Sequence, residues 1–287
     1  MRSLGTALIV AAAILISGWS PVGSAQKFPS KPMRMVSAFA PGGGTDILGR
    51  AIAVPVSESF GQPVVVDNRP GAGGTMGSDF VARAAPDGYT IIMVASTYTA
   101  TSAYDPPPYD PVNGIQPIIL IGTTGLVMTV HPSIPARSVK ELVDYAKANP
   151  GRLNYASVGT GSVPHFAQEL FRLQTGINIV HVPYKGGGPA VIALVGGEVQ
   201  MTTISMVAIL PHIKAGRLRA LAITTPARSS TMPDLPTIGE TVPGFEVTHW
   251  YGIWGPKGMP KPIVARWNQE VAKVLRTEEM KVRSRAE

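Results

Sequence analysis

Between residues 33 and 95 the chain alternates short apolar runs with amphipathic stretches, and a glycine run follows each of the first two. Residues 33–39, 63–66 and 89–95 have the length and apolar content of buried strands, whereas 45–59 and 74–84 carry apolar residues at helical spacing. Strands joined through helices of this size require right-handed crossovers and a parallel sheet, and ligands of such sheets sit beyond the carboxyl ends of the strands. The strand-to-helix turns are therefore where function is to be sought.

The pattern resumes after a proline-rich passage, Asp105 to Pro111, which reads as an ordered surface loop before the apolar segments 118–121 and 126–130. Ser138 and Glu141 form a capping-box pattern that opens a helix ending near Asn149. Strands then follow at 153–157, 177–182, 199–204 and 218–223, with helices at 162–174, 189–195 and 206–214 between them. A turn-rich stretch leads to an aromatic strand at 247–254 and a helix at 262–275. This order predicts an α/β protein of two lobes, each a mainly parallel sheet flanked by helices, with a cleft between them. The expected division is a leader at 1–25, a first lobe from 26–123, a second from 124–222, and a return to the first over 223–287.

The leader reading rests on Arg2, an apolar run from Leu4 to Ile16, and the small residues Gly23, Ser24 and Ala25 at a cleavage position. Gly18, Ser20 and Pro21 interrupt the run before it reaches the roughly 20 apolar residues of a membrane span. The expected mature chain begins near Gln26 in the periplasm. It has no cysteine, which removes disulfides and thiolate chemistry together. The formal charge of +7 is spread along the chain, apart from Lys281, Arg283 and Arg285, so no basic stripe tracks a nucleic acid.

Two glycine runs sit at matching strand exits: Pro41-Gly42-Gly43-Gly44-Thr45-Asp46 and Gly71-Ala72-Gly73-Gly74. A helix N-terminus carries unpaired amides and about half a positive charge, so a pair of them on one sheet edge suits a carboxylate or phosphate. The second lobe offers Ser157, Gly159, Thr160 and Ser162 ahead of one helix, and Lys185 with Gly186 to Gly188 ahead of another. Ser162 has an alternative role as a helix cap, Lys185 as a solvated loop charge, and Asp46 as a first-turn carboxylate that favours the helix dipole, its functional reading being to order the loop or to accept a hydrogen bond from a ligand ammonium or hydroxyl. His165 lies on the first turn of the helix after Ser162, facing the expected cleft. Phe39 stands at the end of the first strand, where it can shape an apolar floor.

Enzymatic readings find no support. No Gly-Lys-Ser/Thr triplet, complete dinucleotide fingerprint or Gly-x-Ser-x-Gly elbow occurs, and the five histidines have no metal spacing. Neither a metal nor a cofactor is expected.

The motifs Phe39 to Asp46, Asp67 to Gly74, Pro86 to Thr90, His181 to Gly187 and Pro233 to Thr237, in this order, resemble those of the Bordetella uptake gene family, the periplasmic receptors of tripartite tricarboxylate transporters. The resemblance covers nearly all of the expected mature chain. It implies a two-lobed periplasmic binding fold of type II that closes on a di- or tricarboxylate, an acidic amino acid or an aromatic acid, works as a monomer, and delivers its cargo to membrane permease subunits. A sensor that signals to a membrane receptor is the alternative, and an enzyme acting on anions is a remoter one. In that family the first two glycine loops cradle a carboxyl group, and the segment opening here with Ser96 and Thr97 lines part of the pocket. The proline-rich content of residues 96–111 departs from the family pattern, so the cargo does not transfer. A further helical stretch beyond Glu287 is also implied, so the chain reads as C-terminally truncated.

Overall fold

The computed structural model describes residues 28–278 and Met280. The expected leader, 1–25, and the basic trio after Met280 lie outside them. The order is β1 (Met33–Ser37), α1 (Gly44–Phe60), β2 (Val64–Asn68), α2 (Thr75–Ala82), β3 (Thr90–Ala95), α3 (Thr97–Tyr104), β4 (Ile115–Val130), α4 (Val139–Ala148), β5 (Leu153–Ser157), α5 (Val163–Thr175), β6 (Ile179–Pro183), α6 (Gly187–Val195), β7 (Met201–Ser205), α7 (Met206–Lys214), β8 (Arg219–Ile223), β9 (Thr248–Pro256) and α8 (Lys261–Leu275).

The described strands form one curled sheet in the order β2-β1-β3-β9-β4-β7-β5-β6, with β8 also paired to β4. Its wings match the predicted parallel arrangement: β1 pairs in parallel with β2 and β3, and β5 with β6 and β7. The centre departs from it. β9 runs antiparallel to β3 and β4, and β4 antiparallel to β7 and β8, so the sheet as a whole is mixed. Strand β4 joins the wings, pairing with β9 from Ile115 to Gly125 and with β7 from Leu126 to Val130.

Local sequence explains the element ends. Helix α1 buries Leu48, Ile52, Val56 and Phe60 on one face and stops at Gly61, whose φ of 66° returns its amide to the Glu58 carbonyl. Ser138 caps α4 by accepting from the Glu141 amide at 3.1 Å, while the Glu141 carboxylate closes on the Arg137 amide, one residue earlier than the predicted box. The Gly176 C-cap of α5 has φ 67°.

Four hydrophobic clusters form the core of the described residues, and two of them lie on either side of the centre. Met33, Met35, Ile91 and Met93 pack against Ile52 and Val56 of α1 and against Trp267 and Val271 of α8. Tyr155, Leu142 and Phe171 pack with Ile238, Val242 and Phe245, which precede β9. Fully buried Trp267 donates its indole N–H to the Gly88 carbonyl at 3.0 Å, which fixes α8 to the β1–β3 wing.

Residues 97–104, to which the sequence assigns no element, form a helix. Thr99 and Thr101 bond back to the Ser96 and Thr97 carbonyls at 2.7 Å, a local pattern that competes with helix formation, and burial of Tyr98 and Thr101 decides the outcome. The two apolar runs 118–121 and 126–130 are parts of one strand, because the intervening residues 122–125 pair with β9 rather than turning.

Candidate functional site

The carboxyl ends of β1, β3, β5 and β7 meet around a cavity of about 40 Å³ lined by fourteen residues. The N-terminal turns of five helices contribute to its wall: Gly43, Gly44 and Thr45 from α1, Thr97 from α3, Pro164 from α5, Gly187 from α6, and Ser205, which precedes α7 without a side-chain capping bond. Neither α1 nor α6 has a side-chain cap, so first-turn amides are left for a ligand. Each terminus carries about half a positive charge. Their convergence makes an electropositive pocket without a lysine or arginine in its lining.

The glycine runs also serve a purpose the sequence did not reveal. The first run lies directly against the run before α6, where the Ala40 amide donates to the Lys185 carbonyl at 2.9 Å. A Cβ placed on Gly43 would stand 3.2 Å from the Gly187 nitrogen, and one on Gly42 would stand 3.4 Å from the Gly188 Cα. The second run meets the loop after β5 in the same way, with a Cβ on Gly159 3.4 Å from the Gly73 Cα. Backbone therefore touches backbone across the cavity mouth, an approach that side chains would prevent.

Of the predicted residues, Phe39, Gly43, Gly44, Thr45 and Thr97 line the cavity. Pro41 and Gly42 sit outside it in the same loop. Gly71, Ala72, Gly73 and Gly74 form the neighbouring turn, and Gly74 packs under the Phe39 ring. Ser96 is buried behind the wall, bonded through its hydroxyl to His249 Nδ1 at 2.5 Å. Ser157 turns its hydroxyl toward His181 Nε2 at 2.7 Å, Gly159 and exposed Thr160 lie on the facing loop, and Ser162 caps α5 by accepting from the His165 amide. Lys185 is exposed and contributes its carbonyl.

Asp46 organises its loop. Only 4 % exposed, its carboxylate accepts from the Gly42 amide at 3.0 Å, Arg50 at 3.0 Å and Asn68 at 2.9 Å. Burial alone would raise its pKa, but the bonds from Arg50, Gly42 and Asn68 outweigh this and hold it below the ordinary carboxylate value. His165 belongs to an aromatic stack beside the cavity: its ring lies 4.1 Å from that of His181, which lies 4.9 Å from Tyr155. Burial lowers the pKa of both histidines, and His165 pushes His181 further, to about 4, against the pull of Glu169.

Sequence reasoning missed Ala95, Leu126, Val158, Pro164, Gly187, Ile204, Ser205, His249 and Tyr251 as lining residues. Gly187 belongs to a run already singled out, and Ser205 stands at a strand-to-helix exit like the others. His249 and Tyr251 carry no such signal, because they enter through the antiparallel strand β9. The Tyr251 hydroxyl donates to Ser205 Oγ at 2.6 Å, tying β9 to α7 across the site.

Residues 48–282 match the family profile described as tripartite tricarboxylate transporter family receptor. The protein BugT of Bordetella pertussis is 38% identical over 258 residues, covering 88% of this chain and 79% of its own. The periplasmic binding protein BugD superposes with a TM-score of 0.86 at 36% identity over 90% of this chain and 87% of its own. MatC of Rhodopseudomonas palustris, solved with bound malate, gives a TM-score of 0.84 at 34% identity over 89% and 88%. The fold, the strand-exit cavity and this breadth of match agree: the chain belongs to the tripartite tricarboxylate transporter receptors, the Bug-type periplasmic solute-binding proteins, which are not catalytic.

Proposed function

We propose that the chain captures a small organic carboxylate between two lobes that close over it, and presents the closed form to the permease subunits of a tripartite tricarboxylate transporter. The first lobe comprises the β1–β3 wing with β9 and α8, and the second the β5–β7 wing with β8. Packing of Ile238, Val242 and Phe245 in the second core supports a return to the first lobe nearer Thr248 than 223. The carrying observation is the convergence of five helix N-termini on a cavity without a cationic side chain.

The energetics are sufficient. Four charge-assisted hydrogen bonds at about 1.5 to 3 kcal/mol each give roughly 6 to 12 kcal/mol gross. Lost translational and rotational freedom costs at least about 4 kcal/mol, and the remainder of at most about 2 to 8 kcal/mol reaches micromolar binding, about −8 kcal/mol, at its upper end and with added apolar contact below it. The 40 Å³ cavity is well short of the roughly 300 Å³ of an ordinary ligand pocket. Admission of an acid therefore requires the touching glycine loops to part, and recapture re-forms their contacts around it.

The test is a thermal-shift screen of mono-, di- and tricarboxylates. A binder at a hundred times its Kd stabilises the folded state by about 2.7 kcal/mol; absence of a shift with every acid would overturn the reading.

A further inference from the structure

We infer that Gln168, together with Thr203, determines specificity at the cargo site: the two side chains form an uncharged polar end below the strand-exit cavity and bind a hydroxyl carried by the acid. The inference rests on the carboxylate-capture reading and narrows it.

The strand register places the pair. Leu126 of β4 stands opposite Ser205 of β7, and both line the cavity. Two residues deeper Met128 stands opposite Thr203, and two deeper again Val130 stands opposite Met201. Met128, Val130 and Met201 belong to the second core. Side chains two apart share one face of a strand, so Thr203 occupies the layer between cavity and core. Helix α5 packs on β7 in the same order. Pro164 lines the cavity, Phe171 lies in the second core, and Gln168, four residues after the first and three before the second, shares their face. Helical side chains lean toward the N-terminus, which carries the Gln168 amide back over the Pro164 turn and toward the cavity.

The fold does not account for polar side chains in this layer. Gln168 is fully buried and Thr203 is 1 % exposed, yet Gln168 Nε2, Gln168 Oε1 and Thr203 Oγ1 have no hydrogen-bond partner among the described residues. A buried polar atom left unmet costs stability that an apolar side chain of the same shape would not. The next layer down has that alternative, with Phe171 and Met201 in one apolar cluster. The Gln168 amide and the Thr203 hydroxyl each offer a donor and an acceptor. A hydroxyl on the cargo answers both kinds of group. A second carboxylate, which only accepts, would leave Gln168 Oε1 without a donor and would give up its water between neutral side chains.

Calorimetric titration of the intact protein with the matched pairs butyrate and 4-hydroxybutyrate, succinate and malate, and glutarate and 2-hydroxyglutarate tests this. At least one hydroxy acid should bind at least about tenfold tighter than its partner. In Gln168→Met, which keeps the length of the side chain and removes its amide, that hydroxy acid should weaken by at least about tenfold while its partner stays within about threefold. The melting temperature of the unliganded variant should not fall. Binding without preference for any hydroxy acid, or equal weakening of both partners in the variant, overturns the inference while leaving carboxylate capture intact. Failure of all six to bind overturns both. A lower melting temperature with unchanged hydroxy-acid affinity assigns the amide to the fold and also overturns the inference. Should Gln168→Met fail to fold, the Gln168 side-chain amide resonances of the wild-type protein decide: a shift on saturation with the hydroxy acid but not with its partner supports the bond, and equal or absent shifts refute it.

Discussion

Gly188 lies so near Pro41 that a Cβ added to it would stand 1.9 Å from the Pro41 carbonyl oxygen. Two loops from opposite wings of the sheet are thus in contact through main chain alone. Gly188→Ala should hold them apart without touching either core. The expected outcome is cooperative unfolding like that of the wild type, with the acid-induced thermal shift lost. Small-angle scattering should show no contraction of the variant on addition of acid.

Asp46 sits under the same loop, and its removal should act on stability as well as on binding. Asp46→Ala leaves the Gly42 amide and the Asn68 side chain without their acceptor and should cost about 2 to 4 kcal/mol by urea denaturation. The pH dependence follows from its lowered pKa. The contribution is complete above the ordinary carboxylate value of about 4 and is lost as pH falls through the lower folded value. Asp46→Asn should flatten the stability profile in that acid range.

Two histidines shielded from solvent give an earlier acid response. His181 and His249 both have folded values near 4, below the ordinary value of about 6.5. Between those limits the unfolded chain binds protons that the folded chain does not, so stability declines as pH drops from about 6.5 to about 4. His181→Gln should make that decline shallower, as read from urea midpoints across the interval. An unchanged slope would assign the response elsewhere.

Tyr104 of α3 and Phe166 of α5 meet edge to face across the wings, with ring centroids 5.9 Å apart, although Tyr104 is 58 % exposed. Such pairs contribute about 0.5 to 1.5 kcal/mol. Tyr104→Ala should therefore weaken acid binding by up to about tenfold, mainly through faster release in stopped-flow traces, with little change in the unliganded melting temperature.

Much of this architecture was legible in the sequence because its signals are local. Apolar runs of strand length, the Ser138 and Ser162 caps and the Gly176 stop each depend on a few neighbouring residues. The exits after β1 and β2 could be located for the same reason. What stayed hidden depends on distant pairing. Nothing around residues 248–256 signals that this strand enters between β3 and β4, so His249 and Tyr251 could not be assigned to the site. The role of Gly187 and Gly188 as contact surfaces was likewise invisible, since a glycine run reads identically whether its space is left for a guest or filled by another loop. Helix α3, rich in threonine, is fixed by burial rather than propensity.

The insertion of β9 also sets the order in which the molecule can be assembled. Ile92 must find Trp254, about 160 residues further along the chain, before the edge of β3 is covered. Until then an apolar strand with free backbone groups is open to pairing with any passing polypeptide. Maturation of the first wing therefore waits on synthesis as far as β9, and a holding chaperone would find its target in the uncovered β3.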